Sequence, residues 1–383
     1  MLRSAPAVLA VSVFAVAAPL PTLAADGEPP VYSVDPFWPK PLPNNWILGQ
    51  VGGMAIDAHD HVWVLQRPLS ATEDELGAAQ VPPRSECCAK TPAVLEFDRD
   101  GNVIASWGGA GFAPDWPTSE HALWVDGEGN LWLSGAGVDD RQVLKFSPDG
   151  HQLLEIGKKS KAPKNNEDTS LLGRAAGIEV DDAAHEVYVA DGYLNNRIVV
   201  YDSRTGAFKR GWGAYGTPLA KIPNVVEHAE ADVPASGTIP PYAPGSAPEP
   251  QFRSPVHCVR LSRDGFVYVC DRHNDRIQVF TKDGKFVKEL IVRPATLGNG
   301  STWTIAFSHD PKQQHLLVVD GENNVIWIVK REDGEVVSSI GRSGRNAGQF
   351  HWVHQAVMDS SGNLYTGEVE TGKRLQKFSL RPR

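Results

Sequence analysis

Hydrophobic and polar positions along the chain alternate with a period of two, in short runs that come in sets. GMAIDAHDHVWVLQR from Gly53, HALWVDGEGNLWLSG from His121 and AGIEVDDAAHEVYVADG from Ala176 each read as a strand, a tight turn and a second strand. Further copies are HCVRLSRDGFVYVCDR from His257, WTIAFSHDPKQQHLLVVDG from Trp303 and HQAVMDSSGNLYTGE from His354. A third alternating run follows each copy (AVLEFDRDG, QVLKFSPDG, RIVVYDSRTG, RIQVFTKDG, VIWIVKREDG, RLQKFSL), and a fourth such as VIASWGG or EVVSSIG follows most. Side chains of a strand alternate between faces, and D-G, E-G-N and S-G-N turns suit tight hairpins, so the pattern predicts antiparallel pairing rather than βαβ units. Six repeats of four strands predict an all-β, six-bladed β-propeller. The sixth repeat ends at Phe378-Ser379-Leu380 without a fourth strand. Val31-Tyr32-Ser33-Val34 is expected to complete that blade and latch the ring, hiding two sheet edges.

The first 25 residues read differently. Arg3 precedes an apolar run from Ala5 to Ala18, followed by Pro19, Pro21 and Thr22-Leu23-Ala24. A basic residue, a short apolar core and small residues at the end make a cleaved signal peptide, residues 1–25; the run is too short for a membrane span. Residues 26–383 are expected to form one propeller domain, secreted or periplasmic, with rim insertions at 68–92 and 214–251. Composition agrees: of 383 residues, 36 are Gly, 29 Pro and 11 Trp, a turn-dense and aromatic chain. The formal net charge of -9 offers no basic field for phosphates, which excludes a general nucleic-acid binder. No membrane span is expected, and a monomer is favoured.

Candidate chemistry falls at one offset of the repeat. Five positions before the Asp or Ser that ends each first strand stand Gly52, His121, Ala176, His257, Trp303 and His354. Histidine therefore occupies blades 2, 4 and 6. Blades are about 60° apart around the axis, so three imidazoles face the channel mouth about 120° apart, the three-ligand face of a catalytic zinc site. Copper, iron or nickel also suit imidazole, and plain channel lining is the alternative. Arg67 and Arg272 share an offset at the ends of second strands in blades 1 and 4. Facing a metal, they predict a ligand bearing a carboxylate; strand-end salt bridges to Asp271 or Glu368 are the alternative. Tyr193, one residue beyond that offset in blade 3, reaches the same rim, where a metal would lower its phenol pKa and make it a base. His59, His61 and His185 read as exposed turn residues. Asp191 with Arg197, and Asp271 with Arg276, read as structural ties between second and third strands.

Four cysteines form two local pairs. Cys258 and Cys270 flank the Arg263-Asp264-Gly265 turn symmetrically, which suits a cross-strand disulfide. Cys87-Cys88, inside the first insertion, are either a vicinal disulfide capping the site or a pair of free thiols.

These features resemble the peptidyl-α-hydroxyglycine α-amidating lyase family of NHL-repeat propellers. The resemblance covers Val51 to Leu380 and is most specific in ADGYLNNRIVVY, SPVHCVRL and VCDRHNDRIQVF. It implies zinc on His121, His257 and His354, Tyr193 as base, and Arg67 and Arg272 lining the pocket. The implied substrate is a small molecule or peptide C-terminus bearing a carboxylate. The implied reaction splits a carbinolamide into glyoxylate and a primary amide. The chain departs from the family at Gln355, where the family has an aspartate ligand of calcium, which argues against a structural calcium ion. Leu194 replaces a family cysteine. The Cys87-Cys88 segment and the Ala214–Gln251 loop are additions. Two other functions use the same scaffold: a metal-dependent hydrolase or lactonase, and a non-enzymatic NHL propeller that binds a protein.

Overall fold

The computed structural model describes residues 27–225 and 249–382. The expected signal peptide, 1–25, and most of the insertion at 214–251 lie outside the described residues. Six four-stranded antiparallel sheets form the blades. Their innermost strands are Gln50–Ile56, Glu120–Val125, Gly177–Asp181, Val256–Leu261, Thr304–Phe307 and Val353–Met358. Tyr32–Asp35 pairs antiparallel with Leu375–Leu380, Val34 opposite Phe378, so the N-terminal segment completes the sixth blade as its sequence predicts. A short parallel pair, Trp46–Ile47 with Ala89–Lys90, ties the first insertion to the chain ahead of blade 1. The sequence pattern gave no sign of it.

Burial falls from the inner strands to the outer ones. The second strand Leu131–Gly135 is buried throughout, whereas the fourth strand Gln152–Gly157 is half exposed. Apolar clusters fill the spaces between blades, for example Val51, Met54 and Val64 against Tyr365 and Leu375 of blade 6. Each such side chain contributes about 1.5–3 kcal/mol when fully buried. The inner strands are therefore the best-anchored part of the molecule, and they carry the histidines.

The aspartate ending a first strand has a definite task. Oδ1 of Asp126 accepts the backbone N–H groups of Glu128 and Asn130, and Oδ2 accepts Trp132 Nε1 at 3.0 Å. Asp57 does the same with His59, His61 and Trp63, and Asp359 with Ser361, Asn363 and the Tyr365 hydroxyl. The carboxylate closes the turn and locks the second strand in register. Between second and third strands, the buried pairs Arg197–Asp191 at 2.8 Å and Arg276–Asp271 at 2.7 Å lie at facing positions.

At the rim, the pairing of first and second strands slips. The register shifts between Val51 and Gly53, Glu120 and Leu123, Val256 and Cys258, and Val353 and Gln355. Blades 3 and 5 show no such shift. Each of the three histidines thus sits in a β-bulge, a device that takes a side chain out of the strand alternation and re-aims it.

Candidate metal centre

The bulges bring His121, His257 and His354 together. Their rings are 4.9–5.1 Å apart, all three are buried, and each offers a nitrogen within 4.8 Å of the others. The non-histidine blades orient them. His121 Nδ1 donates to the Ala176 carbonyl at 3.1 Å, and His257 Nδ1 to the Trp303 carbonyl at 2.5 Å. Ala176 and Trp303 hold the equivalent offset in the neighbouring blades, and the Val51 and Gly52 carbonyls serve His354 in the same way. With Nδ1–H committed to a carbonyl, Nε2 keeps its lone pair for a ligand. Burial, then the neighbouring imidazoles, Arg67 and Arg272, hold the His121 pKa well below its ordinary value. His257 and His354 are lowered likewise by burial and by the surrounding cations. Neutral imidazole is the metal-binding form, so the trio fits zinc or another imidazole-binding divalent ion.

Tyr193 points at this centre. Its hydroxyl is 2.9 Å from His121 Nε2 and 3.3 Å from His257 Nε2. The preceding Gly192 makes this approach feasible, since a Cβ there would lie 2.0 Å from the Val256 carbonyl oxygen. Ser254 Oγ donates to the Gly192 and Tyr193 carbonyls, and the Tyr193 N–H donates to Arg174 O at 3.2 Å.

Arg67, Arg272, Tyr193, Trp303 and His354 line one cavity of about 400 Å³. Arg67 Nε donates to Glu120 O at 2.7 Å and Nη1 to Gln50 Oε1 at 2.6 Å; among the described residues Nη2 has no hydrogen-bond partner. The Arg272 guanidinium lies over Trp303 at 4.7 Å and Tyr193 at 6.0 Å. Asp271 is paired with Arg276, and Glu368 with Arg374 at 2.7 Å, so both carboxylates considered as strand-end partners are engaged elsewhere. Five further residues complete the lining: Asn299, Trp352, Val369, Glu370 and Thr371. Sequence reasoning missed them because they stand in inter-strand loops that differ from blade to blade. Trp352, two residues before a histidine of the trio, carried the clearest signal.

Beside the third histidine the chain offers an amide instead of a carboxylate. Gln355 Nε2 donates to the Gly52 carbonyl at 3.0 Å, and the residue brings no negative charge to a cation there. Both cysteine pairs are disulfides. Cys258 and Cys270 face each other across the hairpin. Cys87–Cys88 does not line the cavity, so the vicinal disulfide does not cap the centre. His59 and His185 are exposed turn residues, but His61 is not simply so: its Nδ1 is 2.7 Å from Glu96 Oε1, forming a cluster with Asp57. Among the described residues no helix is long and apolar enough to cross a membrane.

Fold and centre together define a six-bladed propeller with three histidines and a tyrosine on its axis. No family model matches the chain. It is similar to mouse peptidyl-glycine alpha-amidating monooxygenase, 26% identical over 362 residues, spanning 87% of this chain and 30% of that protein's length. It is also similar to a probable peptidyl-alpha-hydroxyglycine alpha-amidating lyase of Caenorhabditis elegans, 23% identical over 339 residues, with 86% and 82% covered. A crystal structure of a Bacteroides thetaiotaomicron protein of unknown function superposes with a TM-score of 0.50 at 14% identity, covering 88% of this chain and 70% of that one. That likeness shows the fold alone. The resemblance to amidating lyases read from the sequence is matched by these relatives.

Proposed function

We propose that the protein is an exported, zinc-dependent lyase of the amidating type, cleaving the C–N bond of an α-hydroxyglycine-like substrate to glyoxylate and a primary amide. The observation that carries this reading is the Tyr193 hydroxyl held 2.9 Å from one histidine of a buried trio, in a cavity that also contains two arginines. His121, His257 and His354 would hold the metal through Nε2. A bound zinc ion supplies Lewis acidity, lowering the pKa of a hydroxyl beside it. Arg67 and Arg272 bind the substrate carboxylate and fix the orientation of the reacting carbon. Tyr193 takes the proton of the substrate hydroxyl. The C=O bond of glyoxylate forms as the C–N bond breaks, and the proton passes to the departing amide nitrogen, so that HO–CH(COO⁻)–NH–CO–R gives OHC–COO⁻ and H₂N–CO–R. Two disulfides suit an oxidising compartment, which supports export. The substrate partner is a small molecule or a peptide end, and the protein acts as a monomer.

The test is glyoxylate release from an N-acyl-α-hydroxyglycine by zinc-loaded protein. Stoichiometric glyoxylate and amide support the reading. Zinc-loaded protein that releases neither, or that opens a lactone instead, overturns it.

A further inference from the structure

Part of the cavity wall is apolar. Trp303, Trp352 and Val369 line it alongside the arginines. The two indoles are 5.9 Å apart at 41°, and Trp303 lies 5.9 Å from the rings of both His257 and His354. Trp352 has φ 58°, the left-handed region that bulky side chains rarely adopt and that favours glycine or asparagine. Its backbone is fixed there from both sides: the Trp352 N–H donates to Asn324 Oδ1 at 2.5 Å, and the Val369 N–H donates to Trp352 O at 2.9 Å. Held in this conformation by its surroundings, the backbone sets an indole in the wall of the cavity.

The substituents of the substrate carbon can be distributed over this lining. The carboxylate goes to the arginines and the hydroxyl to the Tyr193 end. Of the remaining lining, Asn299, Glu370 and Thr371 are polar, and the acyl group goes to the apolar part, Trp303, Trp352 and Val369. We infer that these residues form an acyl subsite, with Trp303 and Trp352 determining specificity, and that the substrate carries a large aromatic acyl group next to the α-hydroxyglycine. This inference rests on the lyase reading above. Aromatic rings gain from offset or edge contacts with indoles, which an acetyl group cannot make. Glu370, also in the lining, disfavours acidic acyl groups.

The test separates binding from catalysis. N-Phenylacetylglycine and N-acetylglycine carry the carboxylate and the acyl group but no hydroxyl, so the protein cannot cleave them by this route. Calorimetry with zinc-loaded protein should show the phenylacetyl compound binding about 10- to 100-fold tighter. That advantage should fall below about 3-fold in Trp352→Asn, whose asparagine accepts the left-handed backbone, and in Trp303→Leu. Equal affinities in the wild type, no binding of either compound, or an advantage kept in both variants would overturn the subsite. If the advantage is present but the matching α-hydroxyglycines release no glyoxylate, the lyase reading fails and the subsite stands.

Discussion

The Tyr193 hydroxyl and His121 Nε2 are 2.9 Å apart, although 72 residues and a blade boundary separate them in the chain. The phenol ring packs edge-on against the imidazole at 4.9 Å between centroids, so only the oxygen is spare for chemistry. Tyr193→Phe keeps that packing and removes the oxygen. In this variant kcat should fall by about 10²–10⁴-fold, the usual contribution of a positioned acid–base group, with zinc content unchanged. Parallel kinetics and metal analysis check this, and an unchanged kcat would assign the proton transfer to another group.

Arg67 should behave differently. Its guanidinium is fixed by Glu120 O and Gln50 Oε1, and the residue lines the cavity. A lysine keeps the charge but cannot reproduce the fork. Arg67→Lys should therefore raise KM by about 10-fold or more for substrates with the carboxylate, a loss of roughly 1.4 kcal/mol per tenfold. For an analogue with the carboxylate replaced by a methyl ester, wild type and variant should bind equally. Steady-state KM for both substrates decides the matter.

Much of the ring was legible in the chain because each blade repeats one physical solution. The aspartates at 57, 126 and 359 close their turns with the same hydrogen bonds, and that repetition made the offset of His121, His257 and His354 visible. The bulges that turn those histidines inward were not legible, since register shifts depend on the partner strand rather than on local alternation. Asn299, Trp352 and Glu370 escaped for a related reason: inter-strand loops obey no period. His61 reads as a plain turn residue in the sequence because Glu96, which meets it at 2.7 Å, is 35 positions away.

Closure of the ring gives a stability prediction. Val34 pairs opposite Phe378 and, with Tyr32, packs against the core of blades 5 and 6. Val34→Asp places a charge against that core and should lower stability by about 1–3 kcal/mol. Deleting residues 27–35 should go further. It bares the edge of Leu375–Leu380 and favours self-association, seen as an earlier-eluting species in size-exclusion chromatography. A monomer with unchanged Tm would show that the closing strand contributes little.

Asp275 gives a pH signature away from the metal centre. Oδ1 accepts the Ser301 N–H at 2.7 Å, but burial, reinforced by Asp320 and Asp271, raises its pKa from the ordinary value near 3.8 to about 7. The folded state therefore binds this proton more tightly than the unfolded chain. Its stabilising contribution is complete below about pH 4 and is lost as pH rises toward 7. Asp275→Asn keeps the acceptor and tolerates the left-handed φ of 51°. The variant should match the wild type near pH 4 and exceed it by about 3 kcal/mol at pH 8. Denaturant melts at the two pH values check the sign.

The central claim is that His121, His257 and His354 together hold one metal ion. Elemental mass spectrometry on untagged, zinc-loaded protein tests it most directly, beside His257→Ala and, as a control at the other cluster, His61→Ala. About one zinc per chain is expected in the wild type, kept in His61→Ala and lost in His257→Ala while circular dichroism still reports the folded propeller. Wild-type protein without metal after loading, or a His257→Ala variant that keeps a full equivalent, would contradict it.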